Sequence, residues 1–439
     1  MRKTISKLKH IASKRLSKSH TQPNQNSQAS TTYSSLEKLP PEVRRQILST
    51  LEFQGLKSLV HASPVFHSQY LADRRYVLCA SLEISLGSAT FDAYSALQSS
   101  QPHFSNTRAD VIQFLRSYRP DRRVLQPLHE KLNESEAVEM ASFYSSILFP
   151  ISRHYFQWAL GKLVVAAGGS PRLKALTAIE EVRLLRSFYR FQLYCNLFGV
   201  STPWKSHKES RVFLDFSSVE ILEMFFCVFQ PWEVEEICCV YAFAQEIYDH
   251  IFNEITWDVN EMNPKFDGQR PPTPDGAFDF GNSWVRQELL GGTVSCGLEL
   301  LHIVLFKINN HSHLVTTMQQ CISWPRGTFI KNQVLGETTQ IGRRLETMSI
   351  RDIKEQRRDP LPFLGDEETL PPLAWTIMWD NTYSNLYGHY VQDIIRRWGY
   401  VMWDKIRIET MGARDLLLQQ WKADWGDDDP RDMMVYQDN

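Results

Sequence analysis

No run of apolar residues in this 439-residue chain approaches the roughly 18–20 that a membrane-crossing helix needs. The first residues lack the apolar stretch of a secretory leader, so none is expected. Glycine patterns that cradle phosphates are absent too: there is no phosphate loop and no dinucleotide fingerprint. Gly168-Gly169-Ser170 and Gly281-Asn282-Ser283 lack the closing glycine of a nucleophile elbow. His129-Glu130-Lys131-Leu132-Asn133 begins like a zinc-protease helix, but Asn133 stands where the second histidine must be. No repeat period is visible, neither the Trp-Asp spacing of propeller blades nor a leucine-rich pattern. These absences predict a protein that is not an enzyme and uses no cofactor and no metal.

Cysteine usage points the same way. The seven cysteines are odd in number and form no C-x-x-C pair, so reduced thiols in an intracellular protein are expected. Cys296, His302, His311, His313 and Cys321 match no standard zinc spacing, and His302 lies in an apolar helical stretch, so it is expected in the core.

What is present is ordinary globular material, 43% hydrophobic and 22% charged, enough for a large core. Twelve Trp residues within 12% aromatics predict thick helix packing. The net charge of −2 is uneven. Residues 1–20 hold seven Lys or Arg and no acid, which leaves 41 basic against 50 acidic residues in the rest. A body with that balance predicts no nucleic-acid partner. Ile5, Leu8, Ile11, Ala12 and Leu16 share one helical face with lysines opposite. Such an arm, over residues 1–18, suits a nuclear import signal, a mitochondrial presequence, a membrane-surface anchor or a solubilising tail. Cytoplasm or nucleus is expected, with a mitochondrial or membrane-surface location as the alternative. Ser17 to Thr32 is Ser/Thr/Gln/Asn-rich and reads as a linker, so 1–34 forms an arm outside the fold.

The body, residues 87–425, reads as helical. Helices are expected at Asp110–Tyr118, at Glu134–Gly161 with a kink or break at Pro150, at Leu173–Phe198 with alternating apolar and basic residues, and at Val212–Phe229. Pro231-Trp232-Glu233-Val234-Glu235-Glu236 opens another, to about Ile255, its acids suited to a helix N-terminus. Loops are expected near 262–282, where Thr273-Pro274 suits a proline-directed kinase, and near 325–372, weakly periodic and partly mobile. Leu289–Asn309 returns to helix, and Tyr387–Met411 is the last strong one, with Trp398, Tyr400 and Trp403 at core spacing. The tail, 426–439, is acidic and expected to fray.

The densest signal lies near the front. Leu39-Pro40-Pro41-Glu42-Val43 leads into Ile47, Leu48 and Leu51, one helical face entered through a proline suited to the first turn. Gly55 permits a turn; Leu56, Leu59 and Val60 begin a second helix. Ser63-Pro64 caps a third, expected to run through Phe66, Tyr70, Leu71 and Val77 to Gly87. Three short helices over 35–86 carry too much apolar surface to stand alone.

At these residues the chain resembles an F-box, whose motif opens Leu-Pro-x-Glu-aliphatic, as Leu39 to Val43 do here. Ala62-Ser63-Pro64-Val65-Phe66-His67 and Tyr70-Leu71 look most like the F-box-like proteins abundant in filamentous fungi. Gln230 to Glu236 and Arg397 to Asp404 look like segments recurring in the same proteins. The resemblance implies an all-α protein, with a small three-helix module followed by a large irregular helical domain. It implies docking onto a Skp-type adaptor within a cullin–RING ubiquitin ligase, with an unknown protein substrate held by the body. By resemblance, Leu39, Pro40, Val43, Ile47, Leu51, Leu56, Leu59 and Phe66 supply the contact or its immediate support. Phe66 stands where many members carry tryptophan, and the closing Leu-Trp of many members is missing. The alternative is a helical interaction or structural protein that keeps the fold without the ligase.

Overall fold

The computed structural model describes residues 36–118, 126–168, 175–200, 203, 216–270, 274, 276–325, 330 and 334–434. Within these the chain is all-α: helices throughout, no strand, and one isolated antiparallel bridge between Pro360 and Thr382. The basic arm, the linker, Thr273 and residues 435–439 lie outside the described residues.

The front of the chain folds as α1 (Pro41–Ser49), α2 (Phe53–Ala62), α3 (Pro64–Ala72) and α4 (Arg74–Leu86). Two details differ from expectation. Gly55 lies inside α2 rather than at a turn, because the chain already reverses at Leu51-Glu52. The third helix ends at Asp73 instead of running on to Gly87. Asp73 leaves the helical region (φ −113°, ψ 23°) and accepts from Gln69 Nε2 at 2.6 Å, so side-chain bonds hold a break that no glycine or proline marks.

The chain continues through α5 (Thr90–Ser100), α6 (Arg108–Ser117), α7 (Leu128–Lys131) and α8 (Glu134–Phe143). A π turn at Tyr144–Leu148 then leads into α9 (Phe149–Ala167). That wide turn directly precedes Pro150, which has no N–H to give, so the chain passes the proline without ending the helical path. Next come α10 (Ala178–Phe198), α11 (Ser218–Met224), the 29-residue α12 (Pro231–Val259), α13 (Ser283–Val294), α14 (Leu298–Phe306) and α15 (His311–Cys321). The expected helix at Leu289–Asn309 is broken at Gly297, whose φ of +82° suits glycine alone.

Within 325–372, residues 334–372 form more regular structure than their composition implied. They supply α16 (Glu337–Glu346) and α17 (Ile350–Gln356), whose inward faces carry buried Arg343 and Arg344 paired with Asp352 and Glu355. α18 (Leu373–Met378) follows. The single helix expected over Tyr387–Met411 is instead a 3-10 turn at Gly388–Tyr390, α19 (Asp393–Arg396) and α20 (Lys405–Thr410). Gly388 and Gly399, at φ +65° and +71°, turn the chain where a helix would continue. The last helix, α21 (Ala413–Trp425), escaped the sequence reading; its Trp421 meets Trp379 edge-on at 4.9 Å. Among its described residues the tail holds a 3-10 turn at Pro430–Met433, where buried Arg431 donates to Thr382 Oγ1 at 2.8 Å and to the Tyr383 carbonyl at 3.0 Å.

α10 is the centre, packed on α5 and α12. Its basic residues point inward. Arg183, Arg186 and Arg190 are all buried. Arg190 reaches Asp92 of α5 at 3.1 Å and Glu233 of α12 at 3.0 Å. Arg186 pairs with Glu236, and Arg183 donates to the Trp403 carbonyl at 3.1 Å. Glu235 receives Arg396 at 2.8 and 2.9 Å, and Glu180 receives Arg407 at 2.6 and 2.7 Å. The acids of α12 thus do not sit at an open helix end; they face buried guanidinium groups. Burial pushes the Glu233 carboxyl up, but Arg190 and Arg186 outweigh it and hold it down at about 2. Glu236 is shifted upward, because its burial outweighs its pairing with Arg186.

Candidate docking surface

The front module is built so that one side is sealed and the other open. Leu48, Leu56 and Phe66 form its interior, Leu56 at 3% and Phe66 at 1% exposure. The approach to α1 is fixed by side chains. Glu37 accepts from Ser63 Oγ at 2.6 Å, while its carbonyl accepts from Arg44 Nη1 at 3.0 Å. Ser63 in turn caps α3, accepting from Phe66 N–H at 3.3 Å. The guanidinium of Arg45 lies 4.1 Å from the Tyr76 ring centre, tying α1 to α4.

α4 joins the module to the body. It packs on α1 and α2 from one side and on α7 and α8 from the other. Phe53 N–H donates to Ser85 Oγ at 2.7 Å, and the Phe53 ring meets Tyr144 edge-on at 5.8 Å. The Glu83 carboxylate accepts from Leu128 N–H at 2.5 Å. The module core is therefore continuous with that of the body.

The open side is apolar. Pro40, Pro41 and Val43 are exposed at the start of α1, Val43 at 42%; Leu36 before it and Leu71 at the end of α3 stand at 50% and 54%. Leu39, Ile47, Leu51 and Leu59 are half-buried. Of the eight residues singled out in the sequence, Pro40 and Val43 are exposed and four are partly accessible. Leu56 and Phe66 are interior, where they support the surface and cannot touch a partner. Sequence reasoning missed Leu36 and Leu71: the first precedes the motif, and the second was placed mid-helix because the break at Asp73 has no sequence mark. Beside this face Arg44, Pro64, Val65, Ser68, Gln69 and Ala72 line an open depression of about 450 Å³.

The chemical candidates do not assemble. Among the described residues no group of three His, Cys, Asp or Glu is placed to hold a metal. Cys296 Sγ lies 3.8 Å from the Cys321 carbonyl. His302 is half-buried rather than in the core as expected, because it stands at the accessible side of α14, its ring tilted against Phe306 at 5.2 Å, and burial lowers its pKa. His311 sits in solvent between Glu254 and Asp258. Trp398, Tyr400 and Trp403 are core, at 1% exposure or less. All seven cysteines are free thiols, and burial raises those of Cys79, Cys195, Cys227 and Cys239. No single helix among the described residues is long and apolar enough to cross a membrane.

Comparison with family models, with curated proteins and with solved structures returned no match.

Proposed function

We propose that this chain is a non-enzymatic adaptor that docks through its front module onto a Skp-type protein of a cullin–RING ubiquitin ligase. The helical body then holds a protein substrate. It works by proximity, raising the effective concentration of substrate lysines near the charged ubiquitin carrier. The observation that carries the reading is the open apolar face. Pro40 and Val43 stand exposed within the motif, Leu39 to Val43, that resembles an F-box, and Leu36 stands exposed just before it. Exposed apolar side chains grouped in this way commonly mark a protein contact.

Val43→Asp is the sharpest test. Val43 is exposed enough that the fold tolerates the change. Sealing an unpaired carboxylate into an apolar contact costs several kcal/mol, so adaptor affinity falls by about a hundredfold or more. The measurement is pull-down of purified Skp-type adaptor, with a thermal melt to confirm folding. Undiminished capture by a folded Val43→Asp protein defeats the docking reading.

A second reading, a helical interaction protein without a ligase, is favoured by the interior position of Leu56 and Phe66. It removes two of the eight family positions from any contact. Partners co-purifying with the full chain in the absence of adaptor and cullin decide for it.

A further inference from the structure

The apolar front face has a cation at its side. Arg44 lies one helical turn after exposed Pro40 and next to exposed Val43 on α1. It forms the α1 side of the open depression of about 450 Å³, whose other side is α3. Pro64, Ser68 and Ala72 of that lining are exposed, and Ala72 follows exposed Leu71. The depression and the apolar face are therefore one continuous accessible surface.

Arg44 is held in place without being neutralised. Its Nη1 donates to the Glu37 carbonyl at 3.0 Å, which fixes the guanidinium. Its Nη2 reaches Gln69 Oε1 at 3.5 Å, the outer limit of a hydrogen bond. No carboxylate among the described residues forms an ion pair with it, whereas Arg45 meets Asp73 at 3.7 Å and Arg74 meets Glu134 at 3.4 Å. The acids tied into the same bonds are turned elsewhere. The Glu37 carboxylate accepts from Ser63 Oγ, and Asp73 accepts from Gln69 Nε2, each at 2.6 Å. The lining thus carries one positive charge and no negative one, beside neutral Ser68 and Gln69 and apolar Pro64, Val65 and Ala72.

A single guanidinium suits a singly charged carboxylate; a phosphate collects several cations. We propose that the depression receives an acidic side chain of the docked protein, its carboxylate on Arg44 and its apolar neighbours on Pro40 and Val43. The proposal rests on the docking reading and adds the partner's chemistry: an apolar segment that carries an Asp or a Glu. A planar group already held by Glu37 loses little freedom when a carboxylate meets Nη2.

Calorimetric titration of the full chain with purified Skp-type adaptor, at about 0.05 M and about 0.5 M salt, tests it. Arg44→Gln weakens binding by about tenfold at the lower salt and narrows the loss of affinity between the two salts. Arg44→Glu, which sets like charges together, weakens it by about a hundredfold. A thermal melt confirms the fold of each variant. The adaptor supplies a second route that leaves this chain intact. One Asp→Asn or Glu→Gln change there reproduces the tenfold loss with the wild-type chain and costs nothing further with Arg44→Gln. Unchanged affinity and salt dependence in a folded Arg44→Gln protein, or a loss from every adaptor acid that adds in full to that of Arg44→Gln, overturns the proposal. The docking reading survives that result if Val43→Asp still abolishes binding. If Val43→Asp binds as well as the wild type, the docking reading fails and this proposal falls with it.

Discussion

Cutting Glu235 out of its pocket is a severe perturbation of the fold. Glu235 is fully buried and accepts four hydrogen bonds. Two come from Arg396 at 2.9 and 2.8 Å, one from Gly388 N–H at 2.7 Å and one from the Tyr400 hydroxyl at 3.2 Å. Glu235→Ala leaves the Arg396 guanidinium buried with only the Gly388 carbonyl and Asp393, at 3.2 Å, as partners. Breaking one side of a buried pair costs about 3–5 kcal/mol, and Asp393 retains part of the compensation, so about 4 kcal/mol is expected. Arg396→Met alone strands the carboxylate and costs a similar amount. The double variant Glu235→Leu with Arg396→Met removes both charges and leaves the Gly388 N–H and the Tyr400 hydroxyl orphaned, at about 1–3 kcal/mol each. The two changes therefore couple by several kcal/mol. Urea titration followed by tryptophan fluorescence measures this, since Trp398 and Trp403 are buried nearby, and equal slopes are required before midpoints are compared. The exposed pair Lys405–Glu409, at 3.8 Å, is the control: Lys405→Ala costs less than about 1 kcal/mol. A double variant as unstable as the sum of the single ones refutes the argument, because it means the charges were never each other's compensation.

Gly388→Ala places a Cβ 2.5 Å from Leu335 Cβ and 2.7 Å from the Leu335 carbonyl oxygen, at φ +65°; it destabilises by about 2–4 kcal/mol in the same urea assay. His311 has its pKa raised above 6.5 by hydrogen bonds to Glu254 and Asp258, at 3.1 and 2.9 Å. A raised folded-state value means the tether between α15 and α12 is complete below pH 6.5 and lost as pH climbs through the folded-state value. Titration of the His311 ring protons by NMR shows an upward shift that His311 loses in a Glu254→Gln, Asp258→Asn background; an unshifted ring in the intact protein contradicts it.

Helical class, the motif at Leu39–Val43 and the starts of many helices were legible because each is local. Ser63 capping α3 and Pro231 opening α12 are readable from two or three neighbouring residues. Side-chain breaks were not legible: nothing at Asp73 marks a helix end, since Gln69 and Arg45 hold it from positions a periodic pattern treats as surface.

Sequence alone determined that this chain is helical and that Pro41 and Pro64 open short helices at its front, because apolar spacing and proline placement act within a turn or two. Only tertiary structure decided which charged residues are inside. Arg186 and Arg190 read as a basic stripe on a helix, yet their partners Glu236 and Asp92 lie 50 and 98 residues away. Periodicity states which face a residue occupies; it does not state whether that face meets water or a buried carboxylate. The same limit divided the docking residues, leaving Val43 in solvent and placing Phe66 beneath it in the core.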